Sequence, residues 1–137
     1  MKVLVATDGS ENAMKAVQRA AELAEKQGAR VTLMSVAYDA KDIMDDMPPN
    51  IQAKVEAEAA ANLAKAKAIF EAKNLRVDTD LETGLVPANN IIRKAEDGKF
   101  DRIILGSTGR TGLARVLMGS TAAKVVAHAP CEVTIVR

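Results

Sequence analysis

A single-domain α/β fold is predicted, built on an open parallel five-stranded sheet of order 3-2-1-4-5 with helices on both faces. Three features of the sequence predict it. Short apolar runs alternate with long amphipathic stretches along the chain, and right-handed strand–helix–strand crossovers then give a parallel sheet covered on both sides. The first and fourth runs, residues 3–6 and 102–105, are the most uniformly apolar, as central strands are. The third run, Val77-Asp78-Thr79-Asp80-Leu81-Glu82, alternates with charges and belongs at one edge, and the last, with Thr134 between Val133 and Ile135, suits the other.

The elements follow in order. After the first strand, Ser10 is placed to cap a helix on which Ala13, Val17, Ala20, Ala21 and Ala24 share a face, and Gly28 stands at its C-terminal cap. Residues 31–37 form a second strand. Residues 38–50, with Asp39, Asp42, Asp45, Asp46 and Pro48-Pro49, read as a loop whose acids do not match calcium-loop spacing. A long helix from Asn50 to about Lys73 places Ile51, Val55, Ala59, Leu63, Ala66 and Phe70 along a buried stripe. Gly84 breaks the third strand, Pro87 opens a helix carrying Ile91, Ile92 and Ala95, and Gly98 ends it. A glycine-bearing stretch, 106–119, follows the fourth strand, and a short helix, 120–128, precedes the last strand, 132–136.

The 137 residues fit one domain, and 48% of them are hydrophobic. With two Phe, one Tyr and no Trp, the core must be built from Ala, Val, Ile, Leu and Met. Nineteen basic residues against eighteen acidic ones give a net charge near +1, which argues against a nucleic-acid binder with its basic stripe and stacking aromatics. No apolar run is long enough to span a membrane. The start, Met1-Lys2-Val3-Leu4-Val5, lacks a signal-peptide pattern, and one cysteine allows no intrachain disulfide, so a cytoplasmic location is expected.

The order 3-2-1-4-5 creates a switch point between the first and fourth strands, and such sheets bind ligands there, beyond the carboxyl ends. Asp8 follows the first strand and Gly106 the fourth, so the polar and glycine-bearing segments converge on one crevice. In Gly106-Ser107-Thr108-Gly109-Arg110-Thr111-Gly112, glycines would let the backbone approach a phosphate chain. Gly119-Ser120 opens a helix whose unpaired N–H groups favour an anion, and Ser120 and Thr121 could add hydroxyl bonds. Alternatively the glycines only shape a surface loop, Ser120 is a helix cap and Asp8 a turn residue. Arg110 and Arg115 read as solvated loop arginines, His128 as an exposed helix end and Cys131 as a small buried hydrophobe. No Walker loop and no dinucleotide G-x-G-x-x-G occurs.

The pattern of Gly106 and Gly109, then nine residues, then Gly119-Ser120 resembles the ATP-binding signature of universal stress proteins. The similarity extends to Ala6-Thr7-Asp8-Gly9-Ser10 and to the closing Ala129-Pro130-Cys131 and Val136-Arg137. It implies a Rossmann-like, adenine nucleotide alpha hydrolase-like domain over residues 1–137 that binds ATP with magnesium. By the same resemblance, Asp8 would lie near the ribose or a phosphate-bound magnesium, beside Ala6 and Thr7. Val36 would meet the adenine through its backbone, and Leu105 would line the pocket beside Gly106. The sequence departs from the family at Thr108, where many members have histidine, at Ala122, where ATP-binding members often carry a further hydroxyl, and at Glu132, where proline is common.

With a single histidine far along the chain and Asp8 alone in the crevice, no catalytic triad or carboxylate pair can be assembled. The expected function is therefore an ATP-responsive regulatory module of the stress response, acting on a protein partner the sequence does not identify. The alternatives are a slow magnesium-dependent ATPase and a nucleotide-independent dimeric scaffold or chaperone-like protein. The last strand, apolar and without Pro or Lys, invites a homodimer by edge pairing, and the family resemblance implies the same.

Overall fold

The computed structural model describes residues 1–39, 48–107 and 118–137. The apolar run near the N-terminus forms β1 (Lys2–Ala6), followed by α1 (Glu11–Gln27), β2 (Arg30–Tyr38) and α2 (Pro49–Glu71). Then come β3 (Asp78–Gly84), α3 (Pro87–Asp97), β4 (Arg102–Gly106), α4 (Ser120–His128) and β5 (Glu132–Val136). All the strand pairings are parallel, and the order is β3-β2-β1-β4-β5, as the alternation of apolar runs and helices predicts.

The period of two along each central strand divides the core into two layers. Val3 and Val5 of β1, Val31 and Leu33 of β2 and Ile104 of β4 face α1 and α2, where they meet Val17, Ala20, Leu63 and Phe70. Leu4, Met34, Ile103 and Leu105 face α3 and α4, against Ile91, Ala95, Ala122 and Val125. Alanines at 13, 16, 20 and 21 line the buried face of α1, and their small side chains let that helix lie close to the sheet. Among the described residues no helix is long and apolar enough to cross a membrane.

The helix ends are set locally. Ser10 caps α1 by accepting the Ala13 N–H at 3.2 Å, and Gly28 closes it with its N–H on the Ala24 carbonyl. Pro87 opens α3 at a position where its missing N–H costs nothing. Two boundaries differ from the sequence reading. Gly84 does not break β3 but is its last residue, paired with Tyr38, and its lack of a side chain makes room for the Asn90 carboxamide. Ile51 is not part of the buried stripe of α2: it is 40% exposed, whereas its neighbour Gln52 is 3% exposed. The first turn of α2 meets the polar end of β2, and Gln52 donates to the Tyr38 carbonyl and to Glu56. The acidic stretch that reads as a loop lies, at 40–47, outside the described residues.

β3 is an edge strand with charges on the face toward α3. Asn90, buried on α3, donates to Glu82 Oε1 at 3.0 Å and to the Thr83 carbonyl at 3.1 Å. Lys94 lies 3.5 Å from Asp80 Oδ2. Asp80 and Glu82 sit side by side, and the hydrogen bond between their carboxyls, reinforced by burial, pushes Glu82 above its ordinary value of 4.5. The folded state thus holds the Glu82 proton more tightly than the unfolded chain does. The stability this confers is fully present below 4.5 and is lost as pH rises through the folded value. Glu82→Gln keeps the acceptor for Asn90 and gives Asp80 a permanent N–H donor. The variant should melt higher than wild type at pH 7 and lose that advantage as pH falls toward 4.5, measured by thermal unfolding across this range.

Candidate functional site

The carboxyl ends of β1 and β4 lie side by side at the switch point of the sheet, and the turn after β1 is built from short side-chain bonds. Thr7, 5% exposed, continues the pairing by donating its N–H to the Met34 carbonyl at 2.9 Å. Its Oγ1 accepts the Gly9 N–H at 3.2 Å. Asp8 Oδ1 accepts the Ser10 N–H at 2.9 Å, and the Asp8 carbonyl accepts from Asn62 Nδ2 of α2 at 3.0 Å. Gly9 has φ +80°, a conformation open to glycine and strained for other residues. Asp8 is therefore a turn residue by structure, with its side chain bonded to the N-cap of α1.

Across the switch point, Gly106 ends β4 against the first turn of α1. A Cβ there would lie 2.7 Å from the backbone carbon of Asn12 and 2.8 Å from the Ala13 nitrogen. Asn12 Nδ2 donates to Ser107 Oγ at 3.2 Å, and the Ser107 N–H donates to the Val136 carbonyl at 2.8 Å. The Ser107 carbonyl accepts the Gly119 N–H at 2.7 Å. That bond pins the start of α4 beside the β4 end, although 108–117 between them lie outside the described residues. Gly119, not Ser120, is the N-cap, and Ser120 is the first helical residue. Among the described residues no side chain caps this helix, and its first turn holds no acidic residue. The positive end of its dipole is therefore not offset by an acid in its own first turn.

The structure gathers most of the sequence-derived positions at one end of the sheet. Ala6, Val36 and Leu105 pack in the layer that α3 and α4 cover. Thr7 and Asp8 stand after β1, Gly106 ends β4, and Gly119, Ser120 and Thr121 open α4. Gly109 lies outside the described residues, as do Thr108, Arg110 and Arg115. Ala122 points into the core, 4% exposed against Val125 and the β4 side chains, so the place of the expected hydroxyl is taken by packing. His128 is exposed at the far end of α4. Cys131 is half-buried beside the α4 layer, where burial pushes its thiol up and away from thiolate chemistry. Among the described residues no three His, Cys, Asp or Glu side chains converge on a metal position.

Asn12, Asn62 and the Ser107 side chain do not stand out in the sequence, yet they tie the crevice together. The available signal for Asn62 is its place beside Leu63, between Ala59 and Ala66, where a polar side chain flanks an otherwise apolar stripe.

The profile of the Universal stress protein family matches residues 1–137. The chain belongs to this family. A universal stress protein of Methanocaldococcus jannaschii is 33% identical to it over 99% of this chain and 81% of its own length. Among solved structures, the universal stress protein UspA from Lactobacillus plantarum is 28% identical, with a TM-score of 0.76, covering 100% of this chain and 97% of its own. A universal stress protein solved in complex with cAMP is 25% identical, with a TM-score of 0.75, over 100% of this chain and 97% of its own.

In this universal stress protein the approach of β4 to α1 rests on the bare backbone of Gly106. Gly106→Ala would drive a methyl into the main chain of Asn12 and Ala13, which cannot move without shifting the helix. An overpacking loss of about 1–3 kcal/mol is expected in chemical denaturation, and a midpoint equal to wild type would show that the helix yields freely.

Proposed function

We propose that this protein is an adenine-nucleotide-binding regulatory module of the stress response, a single unit over residues 1–137 that takes ATP between β1 and β4. The observation that carries the reading is the α4 N-terminus, without a side-chain cap among the described residues and free of acid in its first turn, tethered by Gly119 to Ser107 at the switch point. Such an end suits a phosphate chain, with Ser120 and Thr121 contributing N–H and hydroxyl donors, Gly119 leaving room for the phosphates while its own N–H holds Ser107, and Gly109 extending the glycine scaffold. Ala6, Val36 and Leu105 offer an apolar wall for the base, the Val36 backbone meeting the adenine edge. Asp8 and Thr7 stand at the ribose. The relative solved with cAMP supports an adenine nucleotide as ligand class. cAMP carries a single phosphate, so the preference for ATP rests on the glycine scaffold of this sequence.

The residues also fit magnesium in one way only. With no cluster of metal ligands among the described residues, the ion would arrive on the phosphates and meet Asp8, whose Oδ1 is already bonded to Ser10 N–H. Its chemistry there would be to neutralise phosphate charge. One carboxylate, engaged in holding its own turn, favours binding and signalling to a protein partner over rapid hydrolysis. The single cysteine fits a cytoplasmic setting.

Gly119 provides the direct test. Its φ of −61° and ψ of 159° are open to any residue, so Gly119→Val leaves the backbone unstrained while crowding the phosphate approach. ATP affinity by calorimetry should fall about 5- to 150-fold, the equivalent of losing about 1–3 kcal/mol of phosphate hydrogen bonding. Unchanged affinity in the folded variant would refute the site.

We further propose a homodimer through β5. The Ser107 N–H bonds the Val136 carbonyl, so Val136 and, by the strand period, Thr134 turn their backbone groups inward. Those of Val133 and Ile135 face the open edge. β3 is guarded by Asp80 and Glu82, whereas β5 carries no inward charge between residues 133 and 136. Light scattering should give about twice the chain mass of 14.5 kDa. Ile135→Pro, which removes an outward N–H and none toward β4, should give the monomer. A monomeric wild type at micromolar concentration would contradict the dimer and leave the nucleotide site untouched.

A further inference from the structure

Asp80 and Glu82 stand two residues apart on β3 and so share its face toward α3. The register sets them beside Met34 and Val36 of β2, whose side chains lie in the same layer. From α3, Asn90 and Lys94, one helical turn apart, reach the pair. Asn90 is 4% exposed, and its Nδ2 donates to Glu82 Oε1 and to the Thr83 carbonyl. Among the described residues Asp80 Oδ2 is buried and accepts no hydrogen bond, although Lys94 Nζ lies 3.5 Å away. A buried carboxylate oxygen without a donor is costly. Glu82 can supply one: its Oε1 is given to Asn90, and a proton on Oε2 bonds the neighbouring Asp80 carboxylate, which lies within reach. The other charges about the pair are Arg93 of α3 and the exposed Asp78 earlier on the strand. β2 presents only Met34 and Val36 on this face, and α2 lies across the sheet.

We propose that Asp80 and Glu82 share one proton and form with Asn90 a latch that seats α3 on the edge strand, closed with the proton bound and loosened when it leaves. The step is an ionisation: the Glu82 O–H breaks, the proton goes to water, and two carboxylates are left side by side near Lys94 and Arg93. The Glu82–Asp80 bond is lost and like-charge repulsion replaces it, so α3 opens more often. The folded chain holds the Glu82 proton above its ordinary value of 4.5. The closed latch therefore persists above 4.5 and is lost as pH rises through the folded value. Ala88 and Ile91 of α3 cover Met34 and Val36, so each opening bares that layer. The opening is local, because the layer beneath α1 and α2 has no part in it.

The test is NMR on wild type, Glu82→Gln and Asp80→Asn, following carboxyl carbon shifts and amide exchange from below 4.5 to neutral pH. In wild type, Glu82 should titrate above 4.5 with Asp80 shifting in the same step, and in Asp80→Asn it should titrate lower. The α3 amides should exchange by local opening, with less protection than those of α1. Their protection factors, corrected for intrinsic exchange, should fall about 3- to 10-fold through the Glu82 titration, the scale of one hydrogen bond. Glu82→Gln keeps the acceptor for Asn90 and offers Asp80 a permanent N–H, and Asp80→Asn removes the facing charge. Both variants should keep α3 protection flat over this range, so either alone supports the comparison. Three results would each overturn the latch: α3 amides as protected as those of α1, α3 protection unchanged through the titration in wild type, or a fall that persists in the variants.

Discussion

The carboxyl end of β4 and the first turn of α1 touch through main chain, and most of the crevice depends on that contact. A Cβ at residue 106 would lie 2.7 Å from the Asn12 carbon, so only glycine lets the strand end reach the helix. The contact brings Ser107 within range of the Asn12 side chain, and Ser107 in turn anchors Gly119 through its carbonyl. The start of α4 is thereby tied to the carboxyl end of β4. Remove the close approach and the two halves of the crevice lose their common reference.

The two helices that meet this crevice are finished differently. α1 is capped by the Ser10 hydroxyl and carries Glu11 in its first turn, which satisfy its N–H groups and its dipole from within. α4 has a glycine at its N-cap and no acid in its first turn. A side-chain cap is worth about 1 kcal/mol, and among the described residues none is made at α4. The difference leaves the α4 dipole without an acid in its own first turn, whereas that of α1 is matched from within.

The fold was legible because its strands differ in kind. Continuous apolar runs marked β1 and β4 as central, and the alternation of Asp78, Asp80 and Glu82 marked β3 as an edge, which fixed the order. Ser10, Gly28 and Pro87 announced their helix boundaries through local chemistry that tertiary contacts did not override. Ile51 misled because periodicity assumes that the helix lies on the sheet along its whole length, whereas its first turn meets the polar end of β2. At the crevice, the turn role of Asp8 could be read because its chemistry is local. Asn12 and Asn62 could not, since their meaning lies in partners 95 and 54 residues away. Ala122 shows the converse, a position where family expectation asks for a hydroxyl and core packing supplies the reason for a methyl.

Ser107 also joins the crevice to the β5 edge. Its N–H bonds Val136 at the end of β5 while its carbonyl holds Gly119 at the start of α4. One residue therefore registers the edge strand and the start of α4 together. The groups used are those that turn inward, toward β4, whereas pairing with a second copy would use the outward groups of Val133 and Ile135. Pairing at this edge would thus leave the Ser107–Val136 bond intact. The guarded edge at β3 completes the division: its inward Asp80 and Glu82 are held by Lys94 and Asn90, a charged arrangement that a second strand would have to bury. An assembly that used β3 would meet that desolvation cost, and one that uses β5 does not.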